Sequence, residues 1–210
     1  MPEIAEREEE VYVRELFHRL YGAHLQKIPE SKQEGVRSPD YELLDAGERV
    51  AVLEVKRLIR TPRTPENRWQ VKGCKEDIQE ATRIDNGPQR VGALIHNASK
   101  QFAKFSGPKI VVFVNDESLL DCLDLHEAFN GFLSYGNDSL GYYNNRVSAK
   151  IANGQIREEK WKIDLYVWID RCRQCDPMFR VVTAVGLWLA RRFFRCPDIG
   201  ESPNRALGSG

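Results

Sequence analysis

Apolar residues recur along this chain with two different periods, and the places where the period changes mark out the elements. Val13, Leu16, Phe17, Leu20 and His24 fall at three-to-four spacing, which predicts an amphipathic helix over residues 6–25, stopped by Gly22 and the polar stretch 27–38. Two short apolar runs follow, Tyr41 to Leu44 and Val50 to Val55, separated by the turn-forming residues Asp45 to Arg49, and together they predict a β-hairpin with a five-residue loop. A proline-punctuated segment, 59–66, leads into an expected helix over 67–82. From Pro88 to Phe105, Val91, Leu94, Ile95, Ala98, Phe102 and Phe105 lie in one arc of a helical wheel and predict the most clearly patterned helix of the chain. Lys109 to Asn115 is a continuous apolar run bounded by turn residues, as a central strand buried on both faces requires. A helix over 118–129, a Gly/Asn/Tyr-rich loop over 131–146, strands over 147–152 and 161–170, and a last strand and helix within 179–194 complete the prediction.

This order predicts an α/β fold, a mixed β-sheet flanked by helices, in a single domain over residues 1–210. Neither GxxxxGK[ST] nor GxGxxG is present, which removes the main support for a nucleotide-binding fold. Lys plus Arg and Asp plus Glu both number 31, so composition alone does not announce a nucleic-acid partner. The five cysteines, Cys74, Cys122, Cys172, Cys175 and Cys196, do not resemble a secreted disulfide framework. With an acidic start and no long apolar run, the expectation is reduced thiols, a cytoplasmic location and no membrane partner.

The chemistry is concentrated in the hairpin. Asp40 follows Pro39 at its start, and Glu54 and Lys56, two apart on the second strand, point to the same face. With a five-residue loop the register sets Asp40 directly opposite Glu54, β-carbons about 4.5–5.5 Å apart, whereas a two-residue loop shifts the pairing by one. Opposed carboxylates need a counter-charge, and Mg²⁺ or Mn²⁺ prefers hard oxygen ligands of this kind. Asp40, Glu54 and the Val55 carbonyl form a candidate metal site, with Lys56 placed for an attacking water and a phosphate. The plainer alternative is a surface hairpin in which Glu54 and Lys56 make an ordinary ion pair of little energetic weight.

Pro39-Asp40, thirteen intervening residues, then Glu54-Val55-Lys56 resembles the signature of the PD-(D/E)XK nuclease superfamily. The resemblance covers about residues 6–115 and implies a restriction-endonuclease-like core, with 116–200 as C-terminal elaboration. It further implies Mg²⁺-dependent cleavage of nucleic acid, DNA in preference to RNA, leaving 5′-phosphate and 3′-hydroxyl ends. Asp40 and Glu54 would be metal ligands and Lys56 the catalytic lysine. Two departures stand out. Relatives carry a further strand before the Asp strand, where this chain shows at best a short one near Gly35-Val36-Arg37. Some also supply a first-helix acid, for which Glu9 and Glu10 extend the apolar stripe, but a solvated acidic helix start, favourable to the helix dipole, is the preferred reading.

Related nucleases place a Gln or Lys from the following helix over the metal. Gln101, at the edge of the apolar arc, is the candidate here, although a boundary residue has the same place; Lys100 and Lys104 project from the polar side, Lys100 as a phosphate contact or a solvated charge. Between residues 56 and 75 lie Lys56, Arg57, Arg60, Arg63, Arg68, Lys72 and Lys75 against Glu66 alone, a local basic cluster suited to phosphates, with Trp69 available for stacking. An exposed, merely solubilising segment is the alternative. Cys172-Arg-Gln-Cys175 lacks the second pair a zinc site needs, and the four histidines show no ligand spacing; His24 reads as a packed core residue. A homodimer suits cutting both strands. The competing functional class is a non-catalytic nucleic-acid-binding or assembly module that keeps the fold.

Overall fold

A computed structural model describes residues 6–29, 38–59, 68–72, 80–84, 87–118, 120–137, 141–145, 150–173 and 176–194, of which 68–72, 80–84, 133–137 and 141–145 are described by backbone alone. In chain order the elements are helix α1 (Glu8–Tyr21), strands β1 (His24–Lys27), β2 (Tyr41–Asp45), β3 (Glu48–Leu58), β4 (Arg68–Lys72) and β5 (Glu80–Ile84), then helix α2 (Gly87–Gln101). Strand β6 (Lys109–Asn115), helix α3 (Cys122–Asn130), strands β7 (Leu133–Asn137), β8 (Gly141–Asn145), β9 (Leu165–Asp170) and β10 (Met178–Val181), and helix α4 (Ala184–Phe194) follow.

The main sheet has six strands in the order β1-β2-β3-β6-β9-β10. β1, β2 and β3 form an antiparallel meander, β6 and β9 run parallel to β3, and β10 returns antiparallel to β9. The α/β class and mixed sheet are therefore as the sequence predicts. Side chains alternate across the sheet and bury on both sides. Leu53, Val55, Val112 and Val167 join Phe17 of α1 and Phe194 of α4 in one core, while Val52, Phe113, Tyr166 and Trp168 join Ile95 of α2 and Phe129 of α3 in the other. Among the described residues no helix is long and apolar enough to cross a membrane.

Several expectations are corrected. α1 ends at Gly22, and the chain turns directly into β1, so His24 is an exposed strand residue rather than a core histidine. Part of the expected helix over 67–82 is the β4–β5 hairpin: Trp69 and Val71 alternate with polar neighbours at period two, and Gly73 interrupts any helix. α3 starts at Cys122 because Asp121 caps it, accepting from the Leu123 N–H at 2.8 Å while Asp124 accepts from the Asp121 N–H at 2.9 Å. The region read as a loop, 131–146, contains the β7–β8 hairpin. Of the expected strand 147–152, Ile151 and Ala152 instead open a π-helical turn, with Ile151 seated on Gly92 of α2; 147–149 lie outside the described residues, as do Gly35, Val36 and Arg37.

The hairpin that carries the motif arrives at the expected register by another route. Its turn is only two residues, Ala46-Gly47, with φ of 50° and 86°, the left-handed pair of a tight hairpin. A two-residue turn alone pairs Asp40 with Leu53. A β-bulge between Leu43 and Leu44 skips Val50, restores Leu43↔Ala51 and Tyr41↔Leu53, and so brings Asp40 level with Glu54.

Two substitutions test this framework. Ala46→Asn, which accepts positive φ more readily than alanine, should stabilise the protein by about 0.5–1 kcal/mol. Gly186→Ala sets a Cβ within 1.9 Å of the Asp164 carbonyl oxygen, pushes α4 off the sheet, and should cost about 1–3 kcal/mol or more. Urea denaturation measures both; equal stabilities in wild type and Gly186→Ala would contradict the close approach of α4.

Candidate active site

Asp40 is fixed before its side chain is considered. Its N–H donates to the Leu53 carbonyl at 3.0 Å and its carbonyl accepts from the Ile28 N–H at 2.9 Å, so the backbone is gripped from both neighbouring chain segments. The carboxylate turns onto β3, where Oδ2 accepts the Val55 N–H at 2.7 Å. In an extended strand the N–H and C=O of one residue project to the same edge. The Val55 carbonyl therefore faces the gap that opens where β2 begins, beside the Asp40 carboxylate.

Glu54 and Lys56 lie on the α2 side of β3. Glu54 is 1 % exposed, its Oε1 accepts from Lys56 Nζ at 2.5 Å, and its Oε2 has no hydrogen-bond partner among the described residues. Lys56 Nζ also donates to Gln101 Oε1 at 2.6 Å, which brings the C-terminal end of α2 over the site as the sequence suggests. Burial, and then the nearby Asp40 charge, push the Glu54 carboxyl up to about 7, against the opposing pull of Lys56 and the Gln101 amide. Asp40 is also raised, chiefly by burial, although the Val55 N–H and the charges of Arg7 and Lys27 oppose the shift.

A second group, of which the sequence points only to Glu10, reaches Asp40 from the α1 side. Glu10 is 2 % exposed; its Oε2 accepts from Lys27 Nζ at 2.6 Å and from the Arg7 N–H at 3.0 Å, and its Oε1 from Arg7 Nε at 2.5 Å. Both cations are shared with Asp40 Oδ1, Arg7 Nη2 at 3.2 Å and Lys27 Nζ at 3.6 Å. Burial raises Glu10, but Lys27 and Arg7 together outweigh it and leave the carboxyl below its ordinary range. Glu9 and Glu10 of the acidic helix start are buried rather than solvated, and Glu10 is linked to Asp40 through the shared Arg7 and Lys27. Lys27 gives no signal in the sequence because it opens the polar stretch 27–38, whereas the structure makes it the last residue of β1.

The remaining candidates are dispersed. Arg57, on the opposite face from Lys56, is held by Asp116 at 2.6 Å and by Glu8 and Glu9 at 3.5 Å. Lys100 and Lys104 are exposed near Gln101. Arg68 and Lys72 lie on β4, with only their backbone described, and Arg60, Arg63 and Lys75 fall outside the described residues. Cys172 is exposed and unbridged, while Cys175 and Cys196 also fall outside.

Among the described residues no group of three or more His, Cys, Asp or Glu is arranged to hold a metal ion. Two carboxylates are enough for Mg²⁺, which keeps much of its water shell. A buried carboxylate oxygen without a partner, close to a second carboxylate and a backbone carbonyl, is a donor set of the right chemistry.

The Glu54 carboxyl makes stability depend on pH. The folded chain holds this proton up to about pH 7, whereas the unfolded chain releases it near 4.5, so the folded state binds more protons in between and stability falls as pH rises through that window. Glu54→Gln should remove this share of the fall, a difference of about 3 kcal/mol between pH 5 and pH 8. Parallel urea denaturation of wild type and variant at the two pH values measures it, and identical pH profiles would contradict the raised carboxyl. Compared with protein-family models, curated proteins and solved structures, the chain matches none, so the meaning of this site rests on its own geometry.

Proposed function

We propose that the protein is a metal-dependent nuclease that hydrolyses phosphodiester bonds of nucleic acid, DNA in preference to RNA. The observation that carries this reading is the register that sets Asp40 level with Glu54, with Lys56 paired to Glu54 and Glu54 Oε2 buried without a hydrogen-bond partner among the described residues. The element order supports a restriction-endonuclease-like core: α1, the β1-β2-β3 meander, α2 and the parallel β6, with the Asp at the start of the second strand and Glu54-Val55-Lys56 on the third. On this reading β1 would correspond to the strand that the family carries before the Asp strand.

A divalent cation held by Asp40, Glu54 and the Val55 carbonyl would neutralise a non-bridging phosphate oxygen and acidify a water. The chain's own part is positioning. Asp40 keeps its place through three backbone contacts and needs no reordering when substrate arrives. Lys56 is held between Glu54 and Gln101, which take two of its three donors and leave the third for the phosphate or the attacking water. Hydrolysis then joins the water oxygen to phosphorus and breaks the bond to the leaving sugar oxygen. The water's proton passes to solvent, and the leaving oxygen takes a proton from solvent. Exposed Lys100 and Lys104 lie where a phosphate backbone would pass.

Plasmid and oligonucleotide cleavage with Mg²⁺ or Mn²⁺ tests the proposal. Wild type should cut and stop cutting in chelator, Glu54→Ala and Lys56→Ala should lose about 10²–10³-fold, and Gln101→Ala about tenfold. Equal activity in wild type, Glu54→Ala and Lys56→Ala overturns it. Binding without cleavage by wild type, unchanged in those variants, identifies the non-catalytic module instead.

A further inference from the structure

The site already carries its own counter-charges. Glu10, Asp40 and Glu54 are three carboxylates, and Arg7, Lys27 and Lys56 are three cations, each within 3.6 Å of at least one of them. Lys56 sits on the Glu54 side, toward α2. Arg7 and Lys27 sit on the α1 side, and each touches both Glu10 and Asp40. Their neighbours do not release them for other work: Glu9 lies 3.6 Å from Arg7 and is itself shared with Arg57, and Lys27 rests over the Tyr41 ring at 5.1 Å.

With the carboxylates ionised, a divalent cation entering this balanced cluster raises its charge by two, inside a partly buried volume where charge is poorly screened. Asp40 Oδ2 accepts the Val55 N–H and Oδ1 faces Arg7 and Lys27, so each oxygen of this carboxylate already has a partner. The two cations thus stand against the carboxylate that a metal would use. Arg7 is the more easily displaced: its side chain is 54 % exposed and reaches Asp40 through one nitrogen, whereas Lys27 is 12 % exposed and held mainly by Glu10.

We propose that Arg7 and Lys27 are internal counter-cations of the metal site, competing with the divalent ion for Asp40, so that the chain binds metal weakly until Arg7 leaves the carboxylate. The inference rests on the nuclease reading but concerns what regulates the site. In the metal-free protein the pair offsets the repulsion between the Glu10 and Asp40 carboxylates. Metal loading then displaces the N-terminal end of α1 locally, because Arg7 immediately precedes the helix and is bonded to Glu10 in its first turn. A phosphate near the site gives the released guanidinium a new partner, which couples metal and substrate.

Mn²⁺ binding by isothermal titration to the full chain without nucleic acid tests this, using wild type, Arg7→Gln, Arg7→Lys, Lys27→Met and Asp40→Asn. Arg7→Gln and Lys27→Met should bind Mn²⁺ at least about tenfold more tightly than wild type, since each removes a competing charge. Arg7→Lys should stay near wild type, and Asp40→Asn should lose binding. The gain in melting temperature on adding Mn²⁺ should likewise be larger for Arg7→Gln than for wild type, a readout that general loosening of α1 does not produce. Unchanged or weaker binding in both Arg7→Gln and Lys27→Met, with Asp40→Asn inactive in binding, overturns this proposal and leaves the metal site standing. Wild-type affinity in Asp40→Asn, or no Mn²⁺ binding by any form, overturns the metal site and this proposal together.

Discussion

A carboxylate buried in the middle of a sheet is the constraint around which this fold is arranged. Glu54 occupies a central strand, flanked by β2 on one side and β6 on the other, where an isolated charge is strongly disfavoured. Its position is tolerable because Lys56 lies two residues on, on the same face, and because α2 ends where Gln101 can hold that lysine. Even so, one oxygen has no hydrogen-bond partner among the described residues, and burial pushes the carboxyl up to about 7. A hydrophobic residue there would fit the surrounding core at no such cost, which is why the arrangement speaks for chemistry rather than stability.

Asp40 solves a different problem with the backbone. It stands where β2 separates from β3, and an unpaired Val55 N–H at that split would itself be a buried polar loss. The Asp40 carboxylate satisfies it, so a single side chain both closes the end of the ladder and brings negative charge beside Glu54. That double use links fold and site: Asp40→Asn retains an acceptor for Val55 and removes the charge, whereas Asp40→Ala removes both.

What could be read from the sequence was governed by range. The alternation in 41–55, the apolar run 109–115 and the arc on α2 are local patterns, and each predicted its element. The Asp40–Glu54 register was reached through the wrong loop length; the two-residue turn and the bulge at Val50 are one-residue shifts of opposite sense and cancel. Nothing in the string of residues marks a bulge in advance, since Val50 reads as an ordinary strand residue. Lys27 and Arg7 were invisible for a different reason. Their partners lie 17 and 33 residues away, so they belong to the site only through the way α1 and β1 pack against β2. The helix expected over 67–82 failed because a charged segment with few apolar anchors satisfies either period loosely.

Charge distribution shows the same limit and refines what a basic run can mean. From Lys56 onward the sequence is strongly positive, yet successive residues of a strand face opposite sides. Lys56 turns to the site, while Arg57 turns to the α1 side and is absorbed by Asp116, Glu8 and Glu9. Glu8 and Asp116 also hold Arg171 at the end of β9, so this corner is a closed ionic staple between α1 and the ends of three parallel strands. A phosphate would have to break that staple to use Arg57. Lys100 and Lys104 are exposed beside Gln101, which holds Lys56. The electrostatic face of the site is therefore set less by how many basic residues follow the motif than by which of them the acidic start of the chain has already claimed.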